Sequence, residues 1–354
     1  MKRARKTLLY NPYLATLGGG ERFIFALAKY LRSTGDHVTI AAPLLPDVSL
    51  LAQFGFDLSF DLVQVGSAEI TDYSSKFKRF IYLTNELPLP SLARKSYLVV
   101  QFPFEPLPPR HQTRLRYRLT APLRGYRCVV YSEYVQKWLH RRWGRPSRIL
   151  SPLVEMGSYE PTAKESLILG VGRFFPGGHS KRQDALIETF KRLPDAMRDS
   201  WRLCLAGGCK PDDESRAYVD QLRSSAAGFN VTFEINASQA TLHQLYGKAR
   251  IFWHATGYGR SENAPEKAEH FGITTIEAMS FGCVPLVYND GGQTEIVTSD
   301  FGRLWLTLDE LVGMTTGLVG DTVLQEQLAR TAVGAAQGYA ENSFVASCRR
   351  VLGA

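Results

Sequence analysis

Short runs of β-branched and apolar residues alternate with segments of helical apolar spacing almost from end to end of the chain. The runs predict strands at 7–10, 38–42, 61–65, 80–84, 97–102 and 127–132, and again at 167–171, 201–206, 231–235, 251–253, 284–288 and 302–306. Helical patterns fall between them, among them 21–33, ended by Gly35, and 181–192, ended before Pro194. Alternation of this kind implies parallel sheets covered on both faces. It restarts after a Pro-containing joint at about 150–159, which predicts an α/β fold of two doubly wound domains, 1–152 and 153–340. The length of 354 residues agrees, at about 150 residues per domain. Two such domains side by side make a cleft lined by the carboxyl ends of their strands, where open α/β sheets bind ligands.

Composition narrows the class. Hydrophobic residues make up 44% and charged residues 21%, which fits a globular protein without long disordered tracts. No apolar run reaches the roughly 18–20 residues of a membrane span. Lys2, Arg3, Arg5 and Lys6 before Thr7-Leu8-Leu9-Tyr10 resemble the start of a signal peptide, but Asn11-Pro12 breaks the apolar stretch. A first buried strand is the better reading. The five cysteines are scattered, form no CxxC pair and have no zinc spacing, so a reducing, cytoplasmic setting is expected and no metal site. Asn236-Ala237-Ser238 matches a glycosylation sequon and carries no weight.

Charge is unevenly divided. Residues 1–150 hold 23 Lys and Arg against 10 Asp and Glu, and the remainder holds 19 against 24. The excess is densest from Arg110 to Arg148, through Arg114, Arg116, Arg118, Arg124, Arg127, Lys137, Arg141, Arg142 and Arg145, with only Glu133 opposing. A solvated Arg-rich helical face accounts for this run; so does a surface that docks on anionic lipid at the inner membrane face. No nucleic-acid-binding motif accompanies it, and nucleic acid is not an expected partner.

The strand-to-helix junctions carry the candidate chemistry. The first is Leu17-Gly18-Gly19-Gly20-Glu21-Arg22 after strand one, either a tight turn or a loop whose backbone approaches an anionic ligand. Neither GxGxxG nor a P-loop is present. The second is Gly170-Val171-Gly172-Arg173, followed by Lys181. Arg173 and Lys181 are two surface cations or, if they converge, a clamp for a leaving diphosphate. The third runs from Glu266 to Met279. Gly272 opens a helix to about Gly282 whose free N–H groups suit a phosphate or sugar oxygen. Glu269 lies just before it. Glu277 lies inside it among Ile276, Ala278 and Met279, where a carboxylate is costly unless paired; a ribose diol would pair it. His254 ends a strand and is either structural or a ligand contact. No Asp-x-Asp pair sits at a convincing strand end.

Glu269-x7-Glu277 enclosing Phe271-Gly272, then Ala278-Met279, Gly282 and Pro285-Leu286-Val287, resembles the donor-site signature of family 4 glycosyltransferases. The glycine loop, the Gly172-Arg173…Lys181 segment and Gly291-Gly292-Gln293-Thr294-Glu295 are similar to that family's other motifs, so the resemblance runs from about residue 7 to the C-terminus. It implies a GT-B fold and retaining, metal-independent transfer from a nucleotide-diphosphate sugar, with no cofactor. Arg173 and Lys181 would hold the diphosphate, Glu269 the sugar hydroxyls, Phe271, Gly272 and Ile273 would lie beside the sugar, and Glu277 would bind the ribose. Gly19 and Gly20 would approach the phosphates from the first domain. The acceptor-side candidates are Gln101, Asn85 and Glu21. Related enzymes often carry histidine in an HFP-like string where this chain has Gln101-Phe102-Pro103, and glutamine is no imidazole base. The Glu-His-Phe-Gly-Ile string resembles mannosyltransferases of lipid-linked oligosaccharide assembly, which favours GDP-mannose over UDP-sugars and a glycan or glycolipid acceptor. The resemblance also implies closure around the donor, with a C-terminal helix at about 341–354 packing back on the first domain. A non-catalytic sugar-nucleotide-binding scaffold and another GT-B enzyme, such as a sugar-nucleotide epimerase, are the alternatives.

Overall fold

The computed structural model describes residues 5–16, 18–47, 60–104 and 125–353. Leu17 of the glycine loop and Arg110, Arg114, Arg116, Arg118 and Arg124 of the basic run lie outside the described residues. The chain divides into two compact units, one of Met1–Leu153 with Glu341–Ala354, the other of Val154–Ala340.

Unit 1 is built on strands β1 (Arg5–Tyr10), β2 (Asp36–Ala42), β3 (Asp61–Gln64), β4 (Arg79–Leu83), β5 (Lys95–Val100), β6 (Tyr126–Val130) and β7 (Ser147–Ile149). They pair in parallel in the order β3-β2-β1-β4-β5-β6-β7. Unit 2 contains β8 (Glu165–Val171), β9 (Arg202–Gly207), β10 (Val231–Ile235), β11 (Ala249–His254), β12 (Val284–Tyr288) and β13 (Arg303–Trp305), parallel in the order β10-β9-β8-β11-β12-β13. Each order reverses once, at β1/β4 and at β8/β11, which marks the ligand-binding edge of a doubly wound sheet. All five residues of β4 are buried, as a strand covered on both faces requires.

All twelve strands read from the sequence are present, with ends shifted by at most two residues. β7 is additional, a three-residue edge strand too short to show a period. Helix boundaries differ as well: the helix expected at 21–33 opens two residues earlier, at Gly19, and the one expected to run to about Gly282 ends at Ser280. The helix expected from residue 181 opens at Gln183 instead (Gln183–Lys191), because Arg182 takes a left-handed conformation at its N-cap, with φ 52°. Its guanidinium is held there by Asp184 and by the carbonyl of Tyr258. Lys181 is left in the loop, outside the helix.

The C-terminal helix Glu341–Leu352 belongs to unit 1. Phe344 meets Phe23 edge to face at 6.2 Å. Its last carbonyls, which a helix cannot bond internally, accept from side chains of the sheet. Tyr97 Oη donates to Leu352 O at 2.9 Å, Arg148 Nη1 to Arg350 O at 3.1 Å and Arg79 Nη2 to Gly353 O at 3.4 Å. Among the described residues no helix is long and apolar enough to cross a membrane.

Candidate active site

A polar cluster of unit 2 lies at its switch point, beyond β8 and β11. Gly172 follows β8. A β-carbon there would stand 2.5 Å from Lys181 Cγ, so glycine makes room for the lysine stem. Gln183, 3% exposed, donates to the carbonyls of Gly172 and Arg173 at 3.2 and 3.1 Å and ties the loop to the following helix. Tyr218 orients that amide by donating to its oxygen at 3.2 Å.

Lys181 Nζ donates to Glu269 Oε2 at 2.6 Å. His254, at the end of β11, places Nε2 3.2 Å from the same oxygen and 3.2 Å from Thr256 Oγ1. A carboxylate only accepts, so Nε2 carries the proton. Nδ1 of this buried ring has no protein partner among the described residues. Burial pushes the His254 imidazole below its ordinary value against the pull of Glu269, which keeps the ring neutral. Burial pushes the Glu269 carboxyl up, but the Lys181 charge and the His254 hydrogen bond outweigh it and hold it well below the usual carboxylate range. The site therefore presents an ionised carboxylate.

The loop that carries Glu269 is held from several sides. His179 Nε2 bonds Ala268 O at 2.9 Å and His270 Nε2 bonds Glu266 O at 3.0 Å, with the two rings stacked at 4.8 Å. Burial drives both imidazoles down, His270 to about 4. Gly292 N donates to Glu269 O at 2.7 Å. Gly291, at φ 69°, comes so close that a β-carbon would be 2.1 Å from that oxygen. Gly272, at φ 119°, caps the helix Ile273–Ser280, whose first intrahelical bonds run from Thr275 and Ile276 to Gly272 O. The N–H groups of Ile273 and Thr274 precede those bonds and suit an anion or hydroxyl. Phe271 is buried against Tyr339. Glu277 is half-buried, and Tyr246 Oη donates to its Oε2 at 3.0 Å. That bond is the pairing its apolar setting demands.

The structure thus gathers Gly172, Lys181, His254 and Glu269, with Phe271, Gly272, Ile273 and Glu277 along the adjoining loop and helix. Arg173 follows Gly172 in the same loop, with its side chain exposed. His179, Thr256, Tyr246 and Gln183 were not among the candidates. Lone residues of these types have no spacing that marks them, and only the fold brings them to the cluster.

In unit 1, Gly18 precedes the helix Gly19–Ser33. Gly19 is exposed and Gly20 buried. Glu21 accepts from Gly18 N at 2.6 Å and from Asn11 Nδ2 at 2.9 Å, so both of its oxygens brace the loop. Asn85 Oδ1 accepts from the backbone N–H of Gln101 and Phe102 at 3.2 and 3.1 Å, and its Nδ2 donates to Gln101 Oε1 at 3.3 Å. Gln101 lies against Gly20, where a β-carbon would be 2.7 Å from its Nε2.

Solved structures share this architecture throughout. HepE of Anabaena in complex with UDP superposes with a TM-score of 0.73 at 16% identity over 98% of this chain and 99% of that one. A glycosyltransferase from Rickettsia africae gives 0.74 at 15% identity over 99% of both chains. The fold is GT-B. Residues 155–330, nearly half the chain and almost all of unit 2, match the family described as glycosyl transferases group 1. Among curated proteins, the GDP-Man:Man(3)GlcNAc(2)-PP-Dol alpha-1,2-mannosyltransferase of Mus musculus is 32% identical over 145 residues, 39% of this chain and 27% of that protein. The enzyme of the same name from Dictyostelium discoideum is 26% identical over 200 residues, 54% of this chain and 37% of that protein. The chain thus spans between about a quarter and two fifths of the length of the curated relatives it matches.

Proposed function

We propose that the protein is a retaining, metal-independent glycosyltransferase that moves mannose from GDP-mannose to a glycan or lipid-linked acceptor. The observation that carries this reading is the convergence of Lys181 and His254 on the Glu269 carboxylate at the β8/β11 switch point. The curated relatives named as GDP-mannose-dependent enzymes support the choice of base and sugar.

Arg173 and Lys181 bind the diphosphate and supply the positive charge that the leaving group needs as its bond breaks. Glu269 accepts hydrogen bonds from sugar hydroxyls, the N–H groups of Ile273 and Thr274 hold sugar or phosphate oxygens, and Glu277 binds the ribose. The acceptor hydroxyl attacks the anomeric carbon on the face that the diphosphate leaves. The carbon–oxygen bond to phosphate breaks with its electron pair on phosphate, and the acceptor proton passes to a phosphate oxygen. Gln101, fixed by Asn85, needs only to hydrogen-bond in such a scheme. The basic segment of unit 1, including Arg127, Lys137, Arg141, Arg142, Arg145 and Arg148, meets anionic lipid at the cytoplasmic membrane face, where a lipid-linked acceptor resides.

The test is a thermal-shift and calorimetric panel of GDP, UDP, ADP and their sugar conjugates, followed by a transfer assay. GDP-mannose is expected to raise the midpoint, as ligands of the native state do, and Glu269→Ala to abolish transfer in a folded protein. A well-folded protein that binds no nucleotide of the panel overturns the reading.

A further inference from the structure

In this structure the cation assigned to the diphosphate and the carboxylate assigned to the sugar are bonded to each other. Lys181 Nζ lies 2.6 Å from Glu269 Oε2, with the two side chains 16% and 12% exposed. Gly172 fixes the path of the lysine, and His254 donates to the same Oε2. Glu269 Oε1 has no protein partner among the described residues. A pair this sheltered cannot be opened without compensation, because a partly buried charge stripped of its partner is costly.

The two ligands of the proposed reaction differ in what they compensate. A nucleoside diphosphate offers oxygens to Lys181 but no hydrogen-bond donor to Glu269, and its negative charge is repelled by that carboxylate. A nucleotide-diphosphate sugar offers phosphate oxygens to Lys181 and hydroxyl donors to Glu269 together. We infer that Glu269 is a discriminating residue that competes with phosphate for Lys181, so that the site favours the sugar-bearing donor over the nucleoside diphosphate left after transfer and expels that product. The inference rests on the reading that this site takes a nucleotide sugar, and concerns which of its two ligands the ion pair tolerates.

Calorimetry without acceptor tests it, with GDP and GDP-mannose as probes on the wild-type chain, Glu269→Gln and Lys181→Met. Glu269→Gln is expected to tighten GDP by at least roughly fivefold, the lower range of site coupling, while weakening GDP-mannose. Lys181→Met weakens both. A loss of affinity for both ligands in Glu269→Gln, or no change for GDP, overturns the inference while leaving the nucleotide-sugar reading intact. A wild-type chain that binds neither probe overturns the two together. Should the amide variant fail to fold by circular dichroism, Glu269→Asp, which withdraws the carboxylate by one methylene, is expected to shift GDP affinity in the same direction.

Discussion

Gly207 and Gly172 meet backbone to backbone: a β-carbon on Gly207 would stand 2.1 Å from the Gly172 carbonyl oxygen. Gly207 ends β9 at φ 154°, and Gly172 N donates to Ala206 O at 2.9 Å, so the loop carrying Arg173 lies directly on the end of the neighbouring strand. Gly207→Ala forces that loop away. The expected outcome is a loss of about 1–3 kcal/mol from backbone strain, with a larger proportional loss of nucleotide binding. Urea melts and calorimetry on the same sample measure the two.

Asp36 accepts from Thr7 Oγ1 at 2.6 Å and from Arg79 Nη1 at 3.1 Å inside unit 1, with Arg79 wholly buried. Asp36→Asn leaves the guanidinium buried without its counter-charge. A loss of about 3–5 kcal/mol is expected. The double variant Asp36→Leu/Arg79→Met should recover much of it, which chemical denaturation will show.

His270 gives a pH signature of stability. Burial holds its imidazole at about 4 in the folded chain, against about 6.5 when unfolded. Between those values the unfolded chain takes up the proton and the folded chain does not. Stability is therefore at its full value above about pH 6.5 and falls as pH drops toward 4, by at most about 3 kcal/mol. His270→Asn should flatten this part of the profile. The difference between the two chains in urea melts from pH 7 to 4 isolates it from carboxylate titration.

Tyr246→Phe removes the hydroxyl that donates to Glu277 and keeps the ring, which remains stacked on Phe281 at 5.7 Å. Stability should change by no more than about 1.5 kcal/mol. If Glu277 binds the ribose, nucleotide affinity should fall by roughly threefold to tenfold, while affinity for a free hexose diphosphate lacking the nucleoside stays unchanged. Calorimetry with both ligands distinguishes these outcomes.

Much of this architecture is legible along the chain because a parallel sheet buried on both faces demands nearly continuous apolar runs. The runs at 231–235 and 284–288 mark β10 and β12 to the residue. β7 is not legible because three residues at an edge carry no period, and the start of the helix after Lys181 is not because a left-handed Arg182 leaves no mark in a helical pattern. In the candidate site, Glu269, Glu277 and Lys181 are marked in the sequence by their places at strand-to-helix junctions and by the family resemblance of the strings around them. His179 carries no such mark, although it bonds Ala268 O beside Glu269 from 89 positions away.

The sequence by itself determined two doubly wound α/β units and the junctions where their chemistry lies, since periodicity and glycine placement are local properties. Only the tertiary structure decided that Lys181 pairs with Glu269, that Tyr246 answers Glu277 and that two stacked histidines brace the loop between them. The strand order at β8/β11 brings these groups together; the burial this imposes keeps the histidines neutral, while the Lys181 charge and the His254 hydrogen bond keep Glu269 ionised against that burial.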